Sequence, residues 1–299
     1  MTRRTSPIPT LSSRASEKKA TKSRNIALAL SVQVAFKETI LKTITCFALL
    51  CVSTASAQEA PRVVHVFVAL ADNVHQGIVP VPARLGKGDD PERNLYWGAG
   101  YGVKSFFARS SEWRLLASQA RPKPEVLERC VFHHRKKNVV LIADAYQGSQ
   151  IRQAIIDFLT AAAGEDTNNA QDQEPAAVYA ASALAPGKAD LVVYVGHEGL
   201  MDFTLSHLPQ KKDAQPREAI VLACISKSYF VEPLRMAGAK PLLWTTSLMA
   251  PEAYTLKSAL HGWVLGESAA QIRERAAAAY SKYQHCSLTA AKKLLVTGP

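Results

Sequence analysis

Residues 191–200 read LVVYVGHEGL. An unbroken apolar run built on Val192, Val193 and Val195 describes a strand buried on both faces, the kind found inside a parallel sheet. The run stops at Gly196-His197-Glu198-Gly199. Two glycines around a histidine mark a tight turn at the strand's carboxyl end, where open α/β sheets place ligands and chemistry. His197 is thereby a candidate for proton transfer, weighed against a histidine that merely satisfies hydrogen bonds in a turn.

Working outward, VVHVFVAL (63–70) reads as the first strand and ends near Asp72. Residues 73–121 read as a long irregular region, rich in proline and glycine, with the cluster NLYWGAGYG at 94–102. A loop of that length in a compact domain is functional or partly helical, and 105–117 supplies a helix there. VFHH (131–134) and VVLIA (139–143) are further strands. SQIRQAIIDFLTAA (149–162) is an amphipathic helix with Ile151, Ile155, Ile156 and Leu159 on one face. After a solvated connector at 164–175 and a short helix at 176–184 come the strand with His197, then AIVLA (219–223) and KPLLWTT (240–246). Two helices close the chain, 251–261 opened by Pro251 at a first-turn position, and 267–283. Strands alternating with helices predict an α/β fold of three layers, doubly wound on a mostly parallel sheet.

The amino-terminal 57 residues read differently. A basic stretch from Arg3 to Lys37 precedes a short apolar core, Ile44 to Val52, and an Ala55-Ser56-Ala57 ending. That order matches a secretory leader cleaved after Ala57, with 58–299 as a single domain exported to the periplasm or beyond. The apolar core is too short to span a bilayer, so no permanent membrane anchor is expected. The whole chain carries a formal charge of +11. The leader holds nine basic and two acidic residues, and removing them leaves 27 basic against 23 acidic, about +4. The remaining basic residues are interleaved with acids, which argues against a nucleic-acid partner.

The chemistry lies in a second stretch, AIVLACISKSYF (219–230). Two consecutive apolar strands end in His197 and Cys224. If they are parallel neighbours, a thiol and an imidazole emerge at one sheet edge. Cysteine attacking a carbonyl needs a proton-transfer partner, and histidine is the usual one near neutral pH. Backbone amides at the turns can face a developing oxyanion.

LVVYVGHEG and AIVLAC together resemble the caspase-like cysteine peptidases, which include caspases, legumain, gingipains and separase. Their signature is an apolar block ending in His-Gly, followed by one ending in Ala-Cys or Gln-Cys. The resemblance implies a caspase-like fold, with His197 as general acid/base and Cys224 as nucleophile. Gly199 and the Cys224 amide would serve the oxyanion, and a peptide or protein would be the substrate. Here Glu198 is inserted between His197 and Gly199, a departure at the oxyanion position. Residues just after the strand that follows the nucleophile line the substrate cleft in that family, which points to Trp244. A core tryptophan is the competing reading.

Asp72, at the end of the first strand, is a further candidate for the cleft, against the commoner turn-initiating aspartate. Lys227 would help to stabilise a thiolate, or is a solvated loop lysine. His133 and His134 are adjacent and point to opposite faces of a strand, so no metal site is expected. No cofactor is implied, since Gly98-x-Gly100-x-Gly102 lacks the spacing of a phosphate loop and no G-x-S-x-G elbow occurs. With Cys46 and Cys51 removed in the leader, a free Cys224 leaves Cys130 and Cys286 as the only internal pair for a disulfide. The expectation is an exported cysteine endopeptidase with a His197/Cys224 dyad. The alternative is a non-catalytic binding or scaffold domain on the same fold, with Cys224 a small buried residue.

Overall fold

The computed structural model describes residues 60–165 and 189–298. The leader at 1–57 and the short helix at 176–184 therefore lie outside the described residues. Among the described residues eight strands form one sheet: β1 Arg62–Ala69, β2 Trp113–Lys123, β3 Val126–His134, β4 Val139–Tyr146, β5 Leu191–Val195, β6 Glu218–Leu222, β7 Lys240–Thr245 and β8 Leu295–Val296. Their order is β2-β3-β4-β1-β5-β6-β7-β8. The pairs β4/β1, β1/β5, β5/β6 and β6/β7 are parallel. The pairs β2/β3, β3/β4 and β7/β8 are antiparallel. The result is a mixed, mostly parallel α/β sheet.

Six α-helices are described: α1 Val103–Ala108, α2 Ile151–Ala163, α3 Ser226–Ala237, α4 Ala253–Leu265, α5 Ala269–Gln284 and α6 Leu288–Leu294. Period-2 alternation along the central strands divides the core. Val64, Val66 and Val68 of β1 and Val193 of β5 share one apolar cluster with Leu256 and Leu260 of α4 and Ala276 of α5. Val63 and Phe67, with Val192 and Tyr194, share the other with Phe158 of α2 and Phe230 and Leu234 of α3. Helices thus cover both sides, an arrangement compatible with three layers. All of β5 is buried, which is why it shows no alternation in sequence; each such side chain contributes roughly 1.5–3 kcal/mol on burial.

The predicted helix over 105–117 is corrected. Only α1 is helical there, and Trp113 begins β2. β2 is an edge strand whose outer residues are largely exposed, so burial did not impose a strand-like apolar alternation on it. α6 and β8 were not foreseen. Ser287 caps α6 by accepting a hydrogen bond from the Ala290 amide, a local start signal that the sequence does carry.

In chain order the parallel strands β1, β4, β5, β6 and β7 lie 2-1-3-4-5 across the sheet. The order reverses between β1 and β5, and connections leave in opposite directions there, opening a crevice at the carboxyl ends. His197 follows β5 at that point.

Candidate active site

The two chemistry-bearing strands are parallel neighbours in register, Val193 opposite Ile220 and Val195 opposite Leu222. Both side chains that follow them reach one cavity of about 390 Å³, lined by His197 and Cys224 together. The loop after β1 supplies residues 77–82 of its wall, and the segment between β7 and α4 supplies residues 248–251.

Backbone geometry explains the exit from β5. Gly196 has φ 154°, and a Cβ there would stand 2.9 Å from the carbonyl oxygen of Ala69 at the end of β1. Only glycine passes that close without displacing the neighbouring strand. The Tyr194 hydroxyl donates to the His197 carbonyl at 2.8 Å, fixing the turn. The imidazole is buried, and its Nε2 lies 2.7 Å from Oδ2 of Asp202. The same carboxylate oxygen accepts from the Gly77 amide at 3.3 Å, tying the loop after β1 to the histidine. Asp202 orients the ring through Nε2, which leaves Nδ1 as its second nitrogen. Asp202 was not foreseen from sequence. An aspartate five residues after a histidine has no diagnostic spacing, and the short 3₁₀ turn Gly199–Met201 that brings it back is legible only in three dimensions.

On the other strand, Cys224 is half-buried. Its Sγ donates to the Met249 carbonyl at 3.7 Å and accepts from the Met249 amide at 3.4 Å. Burial pushes its thiol pKa up; the Met249 amide opposes this and a charged Glu198 would add to it. The resting group is a thiol, so attack requires a base rather than a preformed thiolate. Immediately after it, Ile225 sits at φ 52°. A β-branched residue in the left-handed region is strained, and such strain persists where surrounding contacts over-determine the backbone. Here the Ile225 amide bonds the Ser247 carbonyl at 2.9 Å. Behind it, Ser226 Oγ reaches the Val221 carbonyl at 3.0 Å and accepts from the Thr245 amide at 3.0 Å. Thr245 Oγ1 in turn donates to the Ala223 carbonyl. Buried Ser226 and Thr245 thus clamp the turn that presents the thiol, a pair whose partnership across 19 residues has no sequence signature.

Glu198 is wholly buried, and no side chain hydrogen-bonds either of its carboxyl oxygens among the described residues. Loss of solvent raises its pKa to about 9; the Leu200 amide offsets this only in part, and Asp202 adds to it. At neutral pH it is therefore a neutral acid beside the histidine. Tyr96, from the loop cluster at 94–102, is a further buried wall of the cavity. Asn94 holds that loop to the end of β1, accepting from the Ala71 amide at 3.0 Å and donating to the Ala71 carbonyl at 2.8 Å.

The remaining candidates are placed elsewhere. Gly199 is next to the site, but its amide donates to the His197 carbonyl at 3.0 Å, so it is not aimed into the cavity as an oxyanion donor. Trp244 is fully buried and belongs to the cluster under α2 and α3, with Lys227 5.6 Å from its ring centre. It does not line the cavity, and neither does Lys227. Asp72 initiates a turn: Oδ1 accepts from the amides of Val74 at 2.9 Å and His75 at 3.1 Å, and Oδ2 pairs with His75 Nδ1 at 2.8 Å. It also lies off the cavity lining. The expected Cys130–Cys286 bridge is corrected: both thiols are free, as is Cys224. Cys130 is locked in the core on β3, at 3.7 Å from Glu128 Oε1. No cluster of three or more His, Cys, Asp or Glu able to hold a metal occurs among the described residues.

Comparison with protein-family models, with curated proteins and with solved structures finds no match.

Proposed function

We propose that this chain is an exported cysteine endopeptidase of caspase-like fold, acting through Cys224 and His197. One observation carries the reading: a thiol and an imidazole at the ends of adjacent parallel strands line the same cavity. The imidazole is oriented by a carboxylate at 2.7 Å, the arrangement that nucleophilic catalysis requires.

In the reaction, the Cys224 sulfur attacks a peptide carbonyl while His197 takes the thiol proton. The Asp202 carboxylate stabilises the imidazolium so formed. The tetrahedral oxyanion is received by the backbone amide of Cys224 itself, since the next two amides of the turn are engaged, Ile225 with the Ser247 carbonyl and Ser226 with Thr245 Oγ1. His197 then protonates the leaving amine as the C–N bond breaks, leaving a thioester on Cys224. Water, deprotonated by His197, releases the acid. Neutral Glu198 adds no negative charge beside the developing thiolate at neutral pH.

Cys224→Ala and His197→Ala are each expected to abolish hydrolysis with little change in stability, since neither residue is mid-core. Members of one catalytic unit are not additive, so the double variant loses little beyond either single one. Peptide-cleavage kinetics on the three variants check this, and near-native turnover by Cys224→Ala would refute the mechanism. A second reading, a non-catalytic binding domain, is favoured by the raised thiol pKa and by the Met249 contacts of the sulfur. Iodoacetamide labelling at neutral pH separates the two: selective modification of Cys224 in the folded chain, dependent on His197, belongs to the enzyme.

A further inference from the structure

Among the described residues that line the cavity beside Cys224, none is charged apart from His197 when protonated. Its walls include Ile78, Val81, Leu95 and Met249, from three separate parts of the chain. Its rim is apolar and open to solvent: Val79 is 81% exposed, Leu248 64% and Met201 42%. Three large apolar side chains left in water around one mouth indicate a surface that is covered in use. Three carboxyl groups stand just behind the lining: Asp202 is already engaged by His197 and the Gly77 amide, Glu198 is a buried neutral acid, and Glu252 accepts from the Tyr254 hydroxyl at 2.9 Å. A substrate lysine entering here would lose its hydration and meet no counter-charge in the lining, and an aspartate would meet one only in a protonated His197.

From this lining we infer that the cavity receives an uncharged apolar side chain, aliphatic or aromatic, from an extended peptide whose neighbouring carbonyl lies at Cys224. The inference rests on the peptidase reading of the site. Pro80 and Pro82 stiffen one wall, so the cavity is largely preformed and discriminates by chemistry and size rather than by remodelling. Leu, Met or Phe suits its volume of about 390 Å³, and charged residues are rejected by desolvation.

The test separates side-chain class from catalysis. Fluorescein-labelled hexapeptides identical except for Leu, Phe, Asp or Lys at one position are titrated into the Cys224→Ala protein and followed by fluorescence anisotropy. The Leu and Phe peptides are expected to bind about tenfold or more tighter than the Asp and Lys peptides. Leu248→Asp and Met201→Glu, on the exposed rim where folding tolerates them, should each weaken the Leu and Phe peptides several-fold and spare the Lys peptide. Equal or tighter binding of the Asp or Lys peptide, or no binding by any of them, overturns the inference. The same peptides are then offered to the unmodified protein. Apolar-selective binding with no Cys224-dependent cleavage leaves the pocket assignment standing and removes the peptidase; cleavage favouring Asp or Lys does the reverse.

Discussion

Glu198 is the residue whose environment most directly converts into a measurable property. Its buried carboxyl titrates near 9 in the folded chain against an ordinary value of 4.5. Below about 4.5 both folded and unfolded chains hold the proton, and Glu198 does not oppose folding. Between about 4.5 and about 9 the unfolded chain releases it and the folded chain does not, so stability falls as pH rises across that window. The slope contributed is at most about 1.4 kcal/mol per pH unit. Glu198→Gln is expected to remove that slope, as read by denaturant unfolding at several pH values; an unchanged difference between the two proteins would contradict the burial argument. Asp202 makes the complementary prediction. Asp202→Asn keeps the shape but removes the charge that supports the imidazolium, so kcat should fall roughly tenfold or more with stability nearly unchanged, because the carboxylate is partly exposed. A shifted pH–rate profile distinguishes this positioning role from a merely structural one. His197 and Cys224 were readable because each ends an apolar run. Asp202, Ser226 and Thr245 were not, because what makes them matter is a hydrogen bond formed after folding.

Among the elements, β5 and α2 show what patterning encodes. β5 is apolar throughout because it is covered on both faces, and α2 shows its buried stripe at helical spacing. Phe158 of α2 stands at the centre of an aromatic group, with ring centres 6.1 Å from Phe67 and 5.9 Å from both Tyr194 and Phe230. Phe158→Ala is expected to cost roughly 3–5 kcal/mol in chemical denaturation, while the chemistry proposed for Cys224 and His197 survives below the new midpoint. A loss under 1 kcal/mol would mean that this side of the core packs otherwise. Elements at the margin were the ones misread. β2 lies at an edge and mixes exposed and buried residues, so its local composition reads as helix until the β3 partner is in place. The two-residue β8 is held by pairing with β7, by Arg273 Nε on the Leu295 carbonyl at 2.7 Å and by burial of Leu295, and no pattern that short can be read.

At the scale of the molecule, the doubly wound order follows from alternation, and the strand reversal beside β1 follows from no local feature. It is nevertheless what puts the His197 turn and the loop after β1 on one crevice. The described residues fall in one compact unit, and no described helix is long and apolar enough to cross a membrane. Stability here does not draw on a disulfide. With all three cysteines of this unit free, a reductant should leave Tm unchanged, and alkylation of the native protein should spare buried Cys130; a Tm that falls on reduction would contradict the free-thiol arrangement. The central claim, that the Cys224 sulfur takes up an acyl group from a peptide, is tested most directly by acid-quenching the protein during turnover of an apolar peptide ester and mapping the products by mass spectrometry. The account predicts a transient adduct, equal in mass to the acyl half of the substrate, on the peptide containing Cys224 and absent from His197→Ala. Cleavage of the substrate with Cys224 never modified would contradict it.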